Sequence, residues 1–156
     1  PRLRIFLLRQ RDVGPDEHAQ RLRLLFNGPL RVLPDEVAAQ VLVGTHDYSS
    51  FVVERSMIDE AVRTIYRIDV ETIGQFCCCT FVGNGFLYKM IRCLMGTLEA
   101  AGSGKLNPEA VRRILEARDR TQAPETAPPQ GLFLMKVFYT PEERAAFRLE
   151  GLPFCF

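Results

Sequence analysis

The stretch from Gln75 to Leu98 leaves this chain few ways to fold. Its opening, Gln75-Phe76-Cys77-Cys78-Cys79-Thr80-Phe81, is a run of small apolar and aromatic residues and reads as a buried strand. Val82-Gly83-Asn84-Gly85 then reads as a turn, where glycine permits positive φ and a close backbone approach. Leu87, Ile91, Leu94 and Leu98 recur at spacings of four, three and four, which is one face of a helix. Arg92 stands beside that face. Its guanidinium is expected to be partly buried and to want a carboxylate or phosphate. For an isolated helix arginine, snorkelling to water is the commoner outcome.

The rest of the chain supplies an α+β layout. Arg2 to Arg9 alternates imperfectly as a strand, and Asp16 to Phe26 reads as a weaker helix stopped by Asn27-Gly28-Pro29. Pro34 opens a helix with Asp35 and Glu36 in its first turn, Val37, Val41 and Leu42 as its buried stripe, and Gly44 as its C-terminal cap. Thr45 to Phe51 is too polar for a strand; Asp47 is placed to cap a single turn that tucks in Tyr48 and Phe51. Thr64 to Thr72 is a strand, joined through Ile73-Gly74-Gln75 to the cysteine strand as an antiparallel hairpin. Asn107 caps a helix with Pro108 first, a Leu106–Val111 staple, and Val111, Ile114 and Leu115 inward. Asp119 to Gln130 is a proline-restrained loop of a length that is usually functional or disordered. Leu132 to Tyr139 is the last strand, and Thr140 starts a short terminal helix. The expected architecture is an antiparallel sheet with helices packed on one face, its interior like a split βαβ unit.

At 156 residues and 47% hydrophobic, the chain is large enough for one well-filled core and too apolar for disorder. No apolar run is long enough to span a bilayer, and none reads as a secretion signal, so an intracellular protein without membrane partners is expected. The chain begins at Pro1, which leaves open a processed product or the ordered part of something longer. The net charge of +1 is uninformative, but Arg2, Arg4, Arg9, Arg11, Arg21 and Arg23 outnumber Asp12, Asp16 and Glu17 locally. The five cysteines include three in a row and no CxxC pair. They read as reduced thiols that fill space, with no zinc spacing.

Four features carry candidate chemistry. They are Arg92; the Gly83-Asn84-Gly85 turn, which could hold an anion on free N–H groups; His46-Asp47; and the loop from Asp119-Arg120-Thr121 to Gly131. Each alone has an ordinary structural explanation. His46-Asp47 lacks a serine or cysteine nucleophile at a recognisable elbow.

Together they are specific. Gly44-Thr45-His46-Asp47-Tyr48-Ser49-Ser50-Phe51, then Gly83 to Thr97 with its Phe86-Leu87-x-x-Met90-x-Arg92 core, then Asp119-Arg120-Thr121 with Thr126-Ala127-Pro128-Pro129-Gln130-Gly131-Leu132, resemble the C-terminal half of TruA-type tRNA pseudouridine synthases in order and spacing. The resemblance covers Pro34 to Tyr139, making 1–33 a weakly matched lead-in, 34–140 the synthase-like domain and 141–156 a helix and tail. It implies a ferredoxin-like half of a larger fold. It also implies isomerisation of uridine in RNA (tRNA or rRNA) without a cofactor or metal. The implied site residues are Arg92, paired with a catalytic aspartate, and Leu132, lining the uracil pocket. Implied or candidate RNA contacts are His46, Asn84, Lys89, Arg120, Arg2 and Arg4. A homodimer or ribonucleoprotein partners, and a cytoplasmic or organelle-matrix (including mitochondrial) location, fit the same resemblance.

The family's Arg-Thr-Asp-Ala-Gly motif, which carries that aspartate, does not occur in this chain. In the strand Arg2-Leu3-Arg4-Ile5-Phe6, Leu3 and Ile5 stand where the family has tyrosines, and Phe6 is one residue out of phase. Two functions follow: half of an active synthase whose other half supplies the aspartate, or an inactive homologue that binds RNA or protein within a large ribonucleoprotein; a third, an interaction module with no RNA role, is opposed by the local arginine excess.

Overall fold

The computed structural model describes residues 2–9, 36–53, 60–73 and 76–138, with single positions 142 and 146; at 2–9, 72–73, 76–77 and 135–137 the backbone alone is described. The elements are β1 (Arg2–Arg9), α1 (Glu36–Val41), β2 (Gly44–Asp47), β3 (Val62–Ile73), β4 (Phe76–Gly83), α2 (Met90–Gly102), α3 (Pro108–Ala117) and β5 (Leu132–Val137), with 3₁₀ turns at Ser49–Phe51 and Arg120–Gln122. The strands form one sheet in the order β2-β3-β4-β1-β5, and every pairing is antiparallel.

The β3–β4 hairpin is the middle of that sheet, closing at Ile73 opposite Phe76. Strand alternation sends Cys79 and Phe81 into the main core with Ile65 and Ile68 of β3. Cys78, Thr80 and Val82 fall on the other face and are buried as well. The described cysteines 78, 79 and 93 are free and buried, as expected of thiols used for their volume. Ile91, Leu94 and Leu98 of α2, Val111, Ile114 and Leu115 of α3, and Ala38 and Ala39 of α1 close the same core from one side. The architecture is therefore α+β, an antiparallel sheet with helices on one face.

Several local expectations need correction. α2 starts at Met90 after Lys89 in the left-handed region (φ 56), so Leu87 precedes the helix; it reaches the core from the lead-in, and its carbonyl accepts the Met90 N–H. Neither Gly83 nor Gly85 has positive φ. Gly83 is needed for close approach: a Cβ there would crowd the Thr64 carbonyl oxygen and the Phe86 ring. The turn also lies well ahead of the α2 N-terminus, so it offers no helix-end anion site. Val37 is 64% exposed, and the buried side of α1 is Ala38, Ala39 and Leu42. Two alanines give a flat face for close packing, which outweighs the valine pattern. Gly44–Asp47 is a strand after all. It is a four-residue edge strand, where polar side chains are tolerated, and Thr45 Oγ1 meets Thr64 Oγ1 across the ladder at 2.8 Å. The helix read at 16–26, the turn at 74–75 and the helix from Thr140 lie outside the described residues.

Gly44 is not the cap of α1, which ends at Val41; it opens β2 with φ +121, which only glycine adopts without strain. Other expectations hold. Asp47 accepts from the Ser49 N–H at 3.0 Å, an Asx turn one residue ahead of the cap position at Tyr48, and so leads into the 3₁₀ turn that buries Tyr48 and Phe51. Asn107 Oδ1 accepts the Ala110 N–H at 2.8 Å. The proline loop is restrained, and its backbone lies directly on α2 at Gly96, where an added Cβ would collide with the Glu125 carbonyl oxygen.

Two outcomes follow for stability. Gly96→Ala has to push the 125–127 backbone off α2, and is expected to cost about 1–3 kcal/mol in chemical denaturation even though alanine favours helix. A stabilised variant would mean the loop does not rest there. The Tyr48 hydroxyl donates to the carbonyls of Leu42 (2.8 Å) and Gly44 (3.2 Å), and burial raises its pKa above the ordinary value near 10. The folded state therefore holds this proton more tightly than the unfolded chain. That contribution is complete below about pH 10 and declines above it. Tyr48→Phe should cost about 1–3 kcal/mol at neutral pH and should flatten the loss of stability measured above about pH 10.

Candidate active site

The site is assembled where the 119–131 loop crosses α2. Arg92, Cys93 and Gly96 lie within one turn of that helix and share the side on which the loop packs. Arg92 Nε donates to the Ala127 carbonyl oxygen at 2.7 Å, and the Ala127 N–H donates back to the Arg92 carbonyl at 3.0 Å. Cys93 Sγ meets Thr126 Oγ1 at 3.4 Å. Arg92 is half-buried, and among the described residues its Nη1 and Nη2 have no hydrogen-bond partner and it forms no ion pair. Glu99, whose pKa is raised chiefly by burial, lies seven residues further along α2, about 10 Å up the axis, and does not pair with it.

The loop is itself well specified. Asp119 caps its 3₁₀ turn by accepting the Thr121 N–H at 2.9 Å, which holds the carboxyl below its ordinary pKa. The carboxylate form, and with it the cap, therefore persists through neutral pH. Arg120 donates from Nη1 to the Ala123 carbonyl (3.0 Å) and from Nη2 to Thr126 Oγ1 (2.9 Å). Buried Ser50 joins the loop to the core: its hydroxyl donates to the Ile114 carbonyl at 2.6 Å and accepts the Asp119 N–H at 2.9 Å. Gly131 (φ 92) then turns the chain into β5, where Leu132 packs partly buried against the core.

Arg92 and Arg120 thus converge on residues 123–127, Lys89 is one helical turn before Arg92, and Leu132 follows the same loop. Lys89 Nζ sits 4.8 Å from the Tyr88 ring centroid, and Tyr88 is exposed. The other candidates lie apart. His46 is on β2, at the opposite edge of the sheet from β5, with Nε2 3.0 Å from the Val43 carbonyl and its ring edge-on to Tyr48. Asn84 extends the β3–β4 ladder, its N–H donating to the Thr64 carbonyl and its Oδ1 accepting the Thr64 N–H. Arg2 and Arg4 are on β1 opposite Gly83 and Phe81. Gly96, Thr126, Ala127 and Ser50 were not singled out from the sequence. A glycine inside a helix, which costs about 1 kcal/mol against alanine, was the available signal for the first.

Among the described residues no cluster of His, Cys, Asp or Glu is placed to hold a metal, and no helix is long and apolar enough to cross a membrane. An open hollow of about 420 Å³ lies between α1 and residues 67–71 of β3, and none of the candidate residues lines it.

A family model described as tRNA pseudouridine synthase matches residues 38–140, which include α2 and the whole loop. The chain is 43% identical over 128 residues to the tRNA pseudouridine synthase A of Brevibacillus brevis, covering 82% of this chain and 51% of that protein. It is 48% identical over 103 residues to that of Exiguobacterium sibiricum (66% and 41%), and 40% over 125 residues to that of Bacillus subtilis (80% and 51%). The chain spans about half the length of the curated relatives it matches. With the matched segment containing the Arg92 helix, the loop it holds and Leu132, this chain belongs to the tRNA pseudouridine synthase family.

Proposed function

We propose that this chain is the C-terminal half of an RNA pseudouridine synthase acting on tRNA, and that Arg92 orients and keeps ionised a nucleophilic aspartate supplied by the other half. The reading rests on one observation above the others. Arg92 is anchored by Nε to the Ala127 carbonyl while its two terminal nitrogens have no partner among the described residues. A guanidinium held in this way is ready to accept a carboxylate in a forked geometry. It cannot lose its proton, and its charge lowers the pKa of the acid it faces.

Isomerisation breaks the bond between uracil N1 and the ribose and joins the same ribose carbon to C5; C5 gives up its proton and N1 gains one. It needs a nucleophile and a pocket for the detached base, with no net oxidation or reduction. The uridine must leave its stack first, and Leu132 supplies an apolar wall against which the extruded base packs. Lys89, Arg2 and Arg4 are assigned to the phosphates. His46 and Asn84 remain RNA-contact candidates, although each already has polar atoms engaged within the fold.

A second reading, an inactive RNA- or protein-binding homologue within a ribonucleoprotein, draws support from Leu3 and Ile5 at the positions where tyrosines are expected. The full-length protein separates the two. Arg92→Ala, and Arg92→Lys, which keeps the charge without the fork, should each lower single-turnover uridine isomerisation by about 10²- to 10³-fold. tRNA affinity should stay within a few-fold. Turnover equal to wild type in Arg92→Ala removes Arg92 from the mechanism; a wild-type protein that binds tRNA and never isomerises it favours the second reading.

A further inference from the structure

Arg120 carries the same charge as Arg92 and stands beside the same loop, so a phosphate contact is its obvious assignment. Its geometry says otherwise. Nη1 is spent on the Ala123 carbonyl and Nη2 on Thr126 Oγ1, so the fork spans residues 123 to 126 from inside the loop. Thr126 is in turn within 3.4 Å of Cys93 Sγ on α2, and the next residue, Ala127, exchanges both its backbone hydrogen bonds with Arg92. Arg120 is itself only half-exposed and sits in a 3₁₀ turn fixed by the Asp119 cap and by buried Ser50.

We propose that Arg120 is a positioning residue for Arg92. Its guanidinium fixes the 123–126 backbone, and so fixes the Ala127 carbonyl that in turn fixes Arg92 Nε. This deepens the function proposed above and rests on it for the catalytic consequence, though not for the structural one. The two roles open to Arg120 respond differently to lysine. A phosphate contact needs a positive charge, which lysine keeps; bridging a carbonyl and a hydroxyl three residues apart needs the planar fork, which lysine lacks.

The test compares Arg120→Lys and Arg120→Ala in the full-length protein by three readouts: single-turnover isomerisation of tRNA, tRNA affinity across a salt series, and hydrogen exchange at the Ala127 amide. Both variants are expected to slow isomerisation by about tenfold or more, since a displaced orienting group is costly. Both should leave tRNA affinity within about twofold at every salt concentration. Both should speed Ala127 exchange by about fivefold or more, the scale of one weakened hydrogen bond. The Val111 amide in α3 should keep its protection, which separates a loosened loop from an unfolded protein. The proposal is overturned if lysine restores turnover while alanine weakens tRNA binding and lowers the salt slope by about one, the signature of a phosphate contact. Unchanged Ala127 exchange in both variants overturns it as well. Faster Ala127 exchange in a full-length protein whose wild type isomerises nothing upholds the link from Arg120 to the loop and sinks the function it was argued to serve.

Discussion

The paired hydrogen bonds between Arg92 and Ala127 are the contact on which the site depends. One runs from side chain to backbone and the other from backbone to backbone in the opposite sense. Each is worth on the order of 1 kcal/mol net, so together they are a small part of the stability of a domain this size. Their importance is geometric. A loop residue that both donates to and accepts from one helical residue cannot slide along the helix without breaking both bonds. Engaging Nε also removes much of the rotational freedom that a long arginine side chain would otherwise keep.

That contact is possible only because the surrounding residues make room and supply leverage. The sheet buries Ile65, Ile68, Cys79 and Phe81 beneath α2, which sets the depth of the helix. Gly96, one turn beyond Arg92, lets the loop backbone touch the helix backbone. Ser50 reaches from the turn after β2 to the end of α3 and the start of the loop. The Thr45–Phe51 segment therefore acts on the site at a distance. His46 packs on Tyr48, Tyr48 ties off the end of α1, and Ser50 holds the loop. Its polar residues are spent on the fold, which is why a segment that looks chemically rich on paper sits away from Arg92.

The periodic parts of this architecture were legible in the sequence. Ile91, Leu94 and Leu98, and Val111, Ile114 and Leu115, announce their helices because a repeat near 3.6 residues has no other economical use in a globular chain. The cysteine strand and its hairpin partner were legible from β-branched and small apolar residues. The stretches that misled were those where pairing overrides composition. Gly44–Asp47 is polar, yet β3 offers it a ladder. Val37 looks like core and is not, because the side of α1 turned to the core is the one that bears Ala38 and Ala39. Beyond that hairpin, strand order could not be read. β1 is inserted between β4 and β5, and both neighbours are distant in sequence. Of the candidate residues, Arg92 and Leu132 could be picked out through their motifs. The contacts that anchor Arg92 could not, since Ala127 acts through its backbone and Gly96 through what it lacks.

The half-burial of Arg92 bears on how a site divided between two parts of a protein can exist in one of them. A fully buried guanidinium without a counter-charge would cost several kcal/mol, and the fold would have to supply a carboxylate of its own. A fully exposed one would be too mobile and too well screened to orient an incoming acid. Arg92 lies between these limits: it is half-buried and anchored at Nε, and its Nη1 and Nη2 have no hydrogen-bond partner among the described residues. On the proposed reading, arrival of the second half with its aspartate removes water from an arginine that is already oriented. The loss of hydration is then offset by a charge-assisted pair that forms only where both halves meet. The loop's hydrogen bonds matter for the same reason: order established before the aspartate arrives does not have to be established when it does.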